Sequence, residues 1–151
     1  MGMSESSSKV SKPASGHRYW RLNILNTQNG SYINIAEINF REVLDTPGNM
    51  TGTTTAFDQF SGYPPSNAVD GTANNVWAAP AASGWWQIDY GGSPKDIIQV
   101  QLSVECPNAG GYSYMPANFQ LQYSDNGTDF TTVKAWSASS WSACEVRTFN
   151  V

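Results

Sequence analysis

Few side chains in this sequence are of the types that usually perform catalysis. The one histidine, His17, lies close to the start of the chain, so no Ser-His-Asp or Cys-His arrangement is evident that could activate a nucleophile. Asp58 and Asp96 occur in polar stretches, where solvated carboxylates are more common than the paired acids of glycoside hydrolysis. We therefore predict that the chain binds a partner and is not an enzyme.

Aromatic and amide side chains occur together in two stretches, residues 57–76 and 106–117, which are too long to be simple turns. A sugar presents apolar C–H faces and hydroxyl edges, so an aromatic ring can stack on it while amides form hydrogen bonds with it. The residues predicted to bind a ligand are Gln59, Phe60, Tyr63, Asn108, Tyr112 and Tyr114. For the three tyrosines, packing within their own loops is the alternative.

The remaining sequence predicts β-strands that would position these stretches. Short apolar runs of period two are bounded by Gly, Pro and Asn, and no amphipathic helical stretch competes with them. In the first run Trp20, Leu22 and Ile24 share a face, which we expect to point inward. The predicted strands are residues 18–26, 34–43, 53–57, 76–79, 85–90, 97–105, 118–124, 130–135 and 144–151.

Length and composition predict one domain. The chain has 151 residues, of which 40% are hydrophobic and only 13% charged. Residues 1–16 are rich in Ser, Lys and Gly, which indicates a flexible leader or linker before a single domain at 17–151. The formal net charge of −4, with the basic residues scattered, argues against nucleic acid as a partner. No signal peptide and no apolar segment long enough to span a membrane is visible.

The two cysteines, Cys106 and Cys144, have a spacing that no zinc motif uses. One disulfide and two buried thiols are both compatible with the sequence. We favour free thiols, because a core of this size does not need a cross-link.

Two segments carry a family signature. Residues 67–77 contain Ala68-Val69-Asp70-Gly71 and end at Trp77, and residues 84–91 read GWWQIDYG. Residues 118–130 then read NFQLQYSDNGTDF, a strand leading into a hairpin. Together these motifs resemble the discoidin, or coagulation factor type C, family. The resemblance implies an all-β, galactose-binding-like sandwich of jelly-roll type with about eight or nine antiparallel strands.

One element is displaced relative to the family pattern. Residues 18–22 (RYWRL) and 36–40 (AEINF) resemble the closing hairpin, which normally lies at the C-terminal end. The simplest account is a circular permutation, which predicts that Val151 and His17 lie near each other. The alternative is a piece of a tandem array, in which residues 18–40 would pair with a neighbouring copy.

The resemblance also implies a structural calcium site. Carried over by position, its ligands would be Glu37, Asp70, Asn75 and a backbone carbonyl near Ala68, an oxygen donor set of the kind that Ca²⁺ takes. Thr72 stands where a second Asp is common, so only two carboxylates contribute. The alternative is a metal-free turn in which Asp70 only caps the backbone.

Resemblance to modules of phage tail and bacterial surface proteins implies an extracellular or virion-associated setting. We expect a lectin-like module that recognises carbohydrate or a cell-surface receptor in adhesion. Galactose-binding relatives often have a histidine after the tryptophan of the turn, whereas this chain has Ala78 after Trp77. The alternative function is a structural or protein–protein interaction domain, for example in virion assembly. Membrane insertion is disfavoured because no basic residues flank Phe60 and Tyr63.

Overall fold

The computed structural model describes residues 16–108 and 110–151. The predicted leader at 1–16 lies outside these residues apart from Gly16. The described chain forms antiparallel sheets with two short 3₁₀ helices, Pro65–Val69 and Gly111–Tyr114. Its strands are β1 (Tyr19–Thr27), β2 (Ile33–Ile35), β3 (Glu37–Arg41), β4 (Thr53–Ala56), β5 (Trp77–Ala79), β6 (Gly84–Asp89), β7 (Gln99–Ser103), β8 (Pro116–Ser124), β9 (Thr131–Ser137) and β10 (Val146–Asn150).

The strands form a β-sandwich, so the predicted all-β fold class is confirmed. A five-stranded sheet has the order β4-β6-β1-β8-β9, a three-stranded sheet has the order β10-β7-β3, and β2 pairs with β5. The inner faces of the two larger sheets meet in one hydrophobic core. Across it the Phe40 ring from β3 lies edge-on to the Trp86 ring from β6, with centroids 5.7 Å apart.

The period-two pattern of β1 buries one face of the strand, as predicted. Trp20, Leu22 and Ile24 are fully buried, whereas Leu25 is half exposed. These three residues pair with β6 on one side and β8 on the other, so β1 lies in the middle of its sheet. β1 is therefore the central strand of the five-stranded sheet.

The predicted strand 34–43 is divided in two. β2 pairs with β5, whereas β3 pairs with β7 of the three-stranded sheet, so the chain changes sheets between them. Ala36 lies at the change and is fully buried, and its N–H donates to the Ser103 carbonyl at 3.0 Å. A continuous apolar pattern therefore concealed a break, because both halves bury their apolar side chains.

The ends of the domain contact the same short segment. The N–H of His17 donates to the carbonyl of Lys95 at 2.7 Å, and the N–H of Val151 donates to the carbonyl of Ile98 at 3.0 Å. Residues 19–41 pair with strands of their own chain rather than leaving an unpaired hairpin. His17 and Val151 thus both bond to the segment from Lys95 to Ile98.

The expectation of free thiols was wrong. Cys106 and Cys144 form a disulfide with a Cα–Cα distance of 4.7 Å. Among the described residues between β7 and β8 none belongs to a strand, so the disulfide holds a segment that no sheet pairing holds. It joins the start of that segment to the loop before β10.

Candidate functional site

Loops at one end of the sandwich enclose a pocket of about 280 Å³. These loops connect β1 to β2, β4 to β5 and β7 to β8, and they lie at the end of the sandwich where β1 ends. The lining side chains are Tyr32, Asn34, Phe60, Tyr63, Ala78, Glu105 and Asn108.

Aromatic rings form one side of the pocket. Phe60 is 37% exposed and Tyr63 is 47% exposed, which is unusual for large aromatic side chains. Tyr32 meets Phe60 edge to face, with centroids 5.5 Å apart, and stacks on Tyr114 at 3.8 Å. A hydrogen bond with Tyr114 raises the pKa of the Tyr32 phenol. Tyr114 thus supports Tyr32 from behind, while Phe60 and Tyr63 remain accessible to a ligand.

Polar groups form the other side. The side-chain amides of Asn34 and Asn108 each donate to the Glu105 carboxylate at 3.3 Å, one to each oxygen. Within residues 16–108 and 110–151, no Lys, Arg or His forms an ion pair with Glu105. The Oδ1 atom of Asn34 is buried and has no hydrogen-bond partner in the described chain. The polar wall therefore has more acceptors than its own donors satisfy.

Backbone hydrogen bonds fix the aromatic loop to the sheet. The N–H of Phe60 donates to the Ala78 carbonyl at 2.8 Å, and the N–H of Ala78 donates back to the Tyr63 carbonyl at 3.3 Å. Gly62, between the two rings, has a φ of +88°, which an L side chain rarely adopts. The turn that presents Phe60 and Tyr63 is therefore held against β5 before any ligand arrives.

The polar wall is also anchored. Glu105 precedes the disulfide-bonded Cys106, whose N–H donates to the Ala73 carbonyl at 2.8 Å. The N–H of Asn29 donates to the Ser113 carbonyl at 2.7 Å, which ties the β1–β2 loop to the 3₁₀ helix Gly111–Tyr114. The three loops are thus cross-linked to one another.

The structure brings three of the six predicted ligand residues into the lining: Phe60, Tyr63 and Asn108. Tyr114 lies behind Tyr32, and Tyr112 packs against the core instead of the pocket. Gln59 is exposed but is not among the lining residues.

Sequence reasoning missed Tyr32, Asn34 and Glu105. Tyr32 and Asn34 are two residues apart at the start of β2, which puts them on one face. That alternation was visible in the sequence. Glu105 could not be predicted as a pocket residue, because nothing in the sequence showed that β7 ends beside the β1–β2 loop.

A second polar cluster lies beside the turn after Pro65–Val69. Both Glu37 carboxylate oxygens accept from the N–H of Gly71 at 3.2 Å, and Asp70 accepts from the side-chain amide of Asn75 at 2.8 Å. Burial, reinforced by the neighbouring Asp70, raises the pKa of Glu37 to about 8. Ala68 is fully buried in the adjoining 3₁₀ helix. The four residues predicted as calcium ligands thus lie on adjoining segments.

A cation would suit this cluster in chemical type, because two crowded carboxylates and amide and backbone oxygens are the donors that Ca²⁺ takes. The number of donors is small for Ca²⁺. No group of three or more His, Cys, Asp or Glu side chains placed to hold a metal occurs in the described part of the chain.

The fold and the loop-end pocket together define a class of protein: a β-sandwich domain whose loops form a pocket. The family model for the F5/8 type C domain matches residues 48–150, more than half of the chain. The chain belongs to this family, also called discoidin domains, whose members are generally non-catalytic, extracellular or surface-associated modules that bind glycans, lipids or proteins.

No curated protein and no solved structure matches the chain. Within the described residues, no helix has the length and apolarity needed to cross a membrane.

Proposed function

We propose that this domain is a non-catalytic, lectin-like module that binds carbohydrate on a cell surface through the loop-end pocket. The observation that carries the proposal is the pairing of two accessible aromatic rings, Phe60 and Tyr63, with a carboxylate and two amides in one cavity. The rings suit the C–H face of a sugar, and Glu105 suits its hydroxyl groups. The volume of about 280 Å³ is at the lower end for ligand pockets and suits one or two sugar rings.

The pocket differs from the arrangement in galactose-binding relatives, as the sequence indicated. Ala78 lines the cavity where galactose-binding relatives often have a histidine, and the described lining residues include no arginine. Recognition would therefore depend on Glu105 and the amides of Asn34 and Asn108.

The disulfide supports an extracellular or virion-associated setting, because such bonds persist in oxidising surroundings. Adhesion to a cell-surface receptor is the corresponding biological role in this proposal.

A glycan array tests the proposal. Wild-type protein should bind a defined subset of glycans, and Phe60→Ala or Tyr63→Ala should reduce binding by about tenfold, because each removes a stacking surface. Phe130→Ala is the matched control, since Phe130 stacks on Arg21 and is not among the described residues that line the pocket. Equal binding by all variants would move the site elsewhere, and no binding across a broad array would favour a protein–protein or virion-assembly role.

Calcium at the Glu37–Asp70–Asn75 cluster is a further part of the proposal. These side chains would hold the ion, with a backbone carbonyl near Ala68, and the ion would neutralise two crowded carboxylates. Its role would be structural, since Glu37 belongs to β3 whereas Asp70 and Asn75 lie in the loop before β5.

Calcium in excess over EDTA should raise Tm by several degrees, since a ligand at 100 times its Kd stabilises a fold by about 2.7 kcal/mol. Asp70→Asn should abolish this response, whereas Asp129→Asn, in the distant β8–β9 hairpin, should retain it. The measurement is thermal unfolding followed by circular dichroism. An unchanged Tm in the wild-type protein would show that the turn is metal-free.

A further inference from the structure

The pocket carries an uncompensated negative charge. Glu105 is the one charged side chain among the described residues that line it, and no cationic side chain in the described chain pairs with it. A carboxylate that is partly buried gains stability from a nearby positive charge. The most direct source of that charge is the ligand.

The hydrogen-bonding groups of the pocket also favour a positively charged ligand. The amide donors of Asn34 and Asn108 are already directed at Glu105. What remains is acceptor capacity on the Glu105 carboxylate, each of whose oxygens accepts one of these bonds. The Oδ1 of Asn34 is buried from solvent near Gly111, so a ligand in the pocket does not reach it. An ammonium group has three donors and no acceptor, so it complements this wall better than a hydroxyl, which brings one of its own acceptors with each donor.

The aromatic rings of the pocket also favour a cationic ligand. Phe60 and Tyr63 are exposed at the pocket, and Tyr32 lies edge to face with Phe60. Aromatic faces attract cations, most strongly where water is excluded. Three rings and one carboxylate line the same pocket, which suits a cation that also has an apolar body.

We infer that the pocket selects sugars that carry a protonated amino group over neutral sugars, and excludes sugars that carry a carboxylate. The inference rests on the proposed glycan-binding function and specifies its ligand class. The amino group would lie against Glu105, and the sugar ring would lie against Phe60 and Tyr63.

Titration calorimetry with matched monosaccharides tests this inference. The probes are glucosamine, galactosamine and mannosamine, each beside its parent hexose, with glucuronate and galacturonate as anions. Measurements at mildly acidic pH keep the amino groups protonated. In at least one pair the amino sugar should bind about tenfold more tightly than the hexose, and neither uronate should bind.

Glu105→Gln keeps the shape of the side chain and removes its charge. It should bring the affinity ratio of amino sugar to hexose close to one, and its Tm should confirm that the variant is folded. Asp125→Asn is the control with the same change of charge, since Asp125 pairs with His17 near the start of β1, far from the pocket. This control should leave the ratio unchanged.

The outcomes separate the two proposals. If hexoses bind as tightly as amino sugars, and Phe60→Ala weakens both, the pocket binds glycans but the ammonium inference is overturned. An unchanged ratio in Glu105→Gln overturns it as well. If none of the six neutral and amino sugars binds, the glycan-binding function fails and the inference fails with it.

Discussion

Adjacent tryptophans in β6 have opposite environments. Trp86 is fully buried, and its indole N–H donates to the Pro65 carbonyl at 3.0 Å. Trp85 points to the outer face of the sheet, where the Arg21 guanidinium lies 4.0 Å from its ring and 3.7 Å from the ring of Phe130. The guanidinium also donates to Gln87 at 2.8 Å. Arg21 therefore covers aromatic surface that would otherwise face water.

Replacing Arg21 should reveal how much this stack contributes. Arg21→Ala should lower the free energy of unfolding by about 1–2 kcal/mol, from the lost cation–π contacts and hydrogen bond. Arg21→Lys should recover little of it, because a lysine lacks the planar group that fits between two rings. Urea denaturation gives the values.

Arg18→Ala is the control in the same region, since Arg18 is exposed and pairs with Asp89 at the surface. It should change stability less than Arg21→Ala does. Full recovery by Arg21→Lys would show that charge alone matters and that the stack does not.

Among the elements, the segment between β7 and β8 depends most on a covalent link. It carries Glu105 and Asn108 of the pocket, and the Cys106–Cys144 disulfide ties it to the loop before β10. The 3₁₀ helix Gly111–Tyr114 is the one regular element between β7 and β8 in the described residues. The geometry of the segment between β7 and β8, and with it the polar wall of the pocket, should therefore change when the disulfide is reduced.

Replacing both cysteines with serine should lower the free energy of unfolding by about 3–4 kcal/mol. This is the chain-entropy value for a cross-link between residues 38 positions apart. Glycan affinity should fall in parallel, because Glu105 adjoins the lost bond. Chemical denaturation and titration measure the two effects. Dithiothreitol should reproduce them in the wild-type protein and do nothing to the double variant; an unchanged midpoint after confirmed reduction would contradict this expectation.

Strand patterns were largely predictable, and tertiary contacts were not. The predicted strands 18–26 and 118–124 correspond to β1 and β8, because alternation along an antiparallel strand records which face is buried. The structure buries Trp86 and not Trp85, which the sequence could not show, since two adjacent tryptophans give no indication of which faces inward. The break at Ala36 was missed for the similar reason that both halves are apolar.

At the scale of the whole molecule, the order of the strands supports a circular permutation, which we propose. The family match covers residues 48–150 and leaves out β1, β2 and β3, yet β1 is the central strand of the larger sheet. His17 and Val151 both hydrogen-bond to the segment from Lys95 to Ile98. A short link could therefore join the two ends without disturbing either sheet.

Reordering the chain tests this account. A variant that begins at residue 48, continues to Val151, and then passes through a short Gly-Ser linker to residues 16–47 should fold. Its Tm should lie within a few degrees of the wild-type value, because every strand pair is retained. Circular dichroism and thermal unfolding provide the comparison. Opening the same circular chain between Leu22 and Asn23, inside β1, should prevent folding; failure of the first variant as well would count against permutation.

The sequence by itself determined the all-β class, the family signature, the inward face of β1 and the presence of aromatic and amide side chains in the loops. These properties follow from local periodicity and from turn residues, which act over a few positions. Only the tertiary structure decided that Cys106 bonds to Cys144, that Trp86 rather than Trp85 is buried, and that Tyr32, Asn34 and Glu105 join Phe60 and Tyr63 in one pocket. These contacts join residues far apart in the chain, and their formation depends on how the sheets pack, which no local pattern specifies.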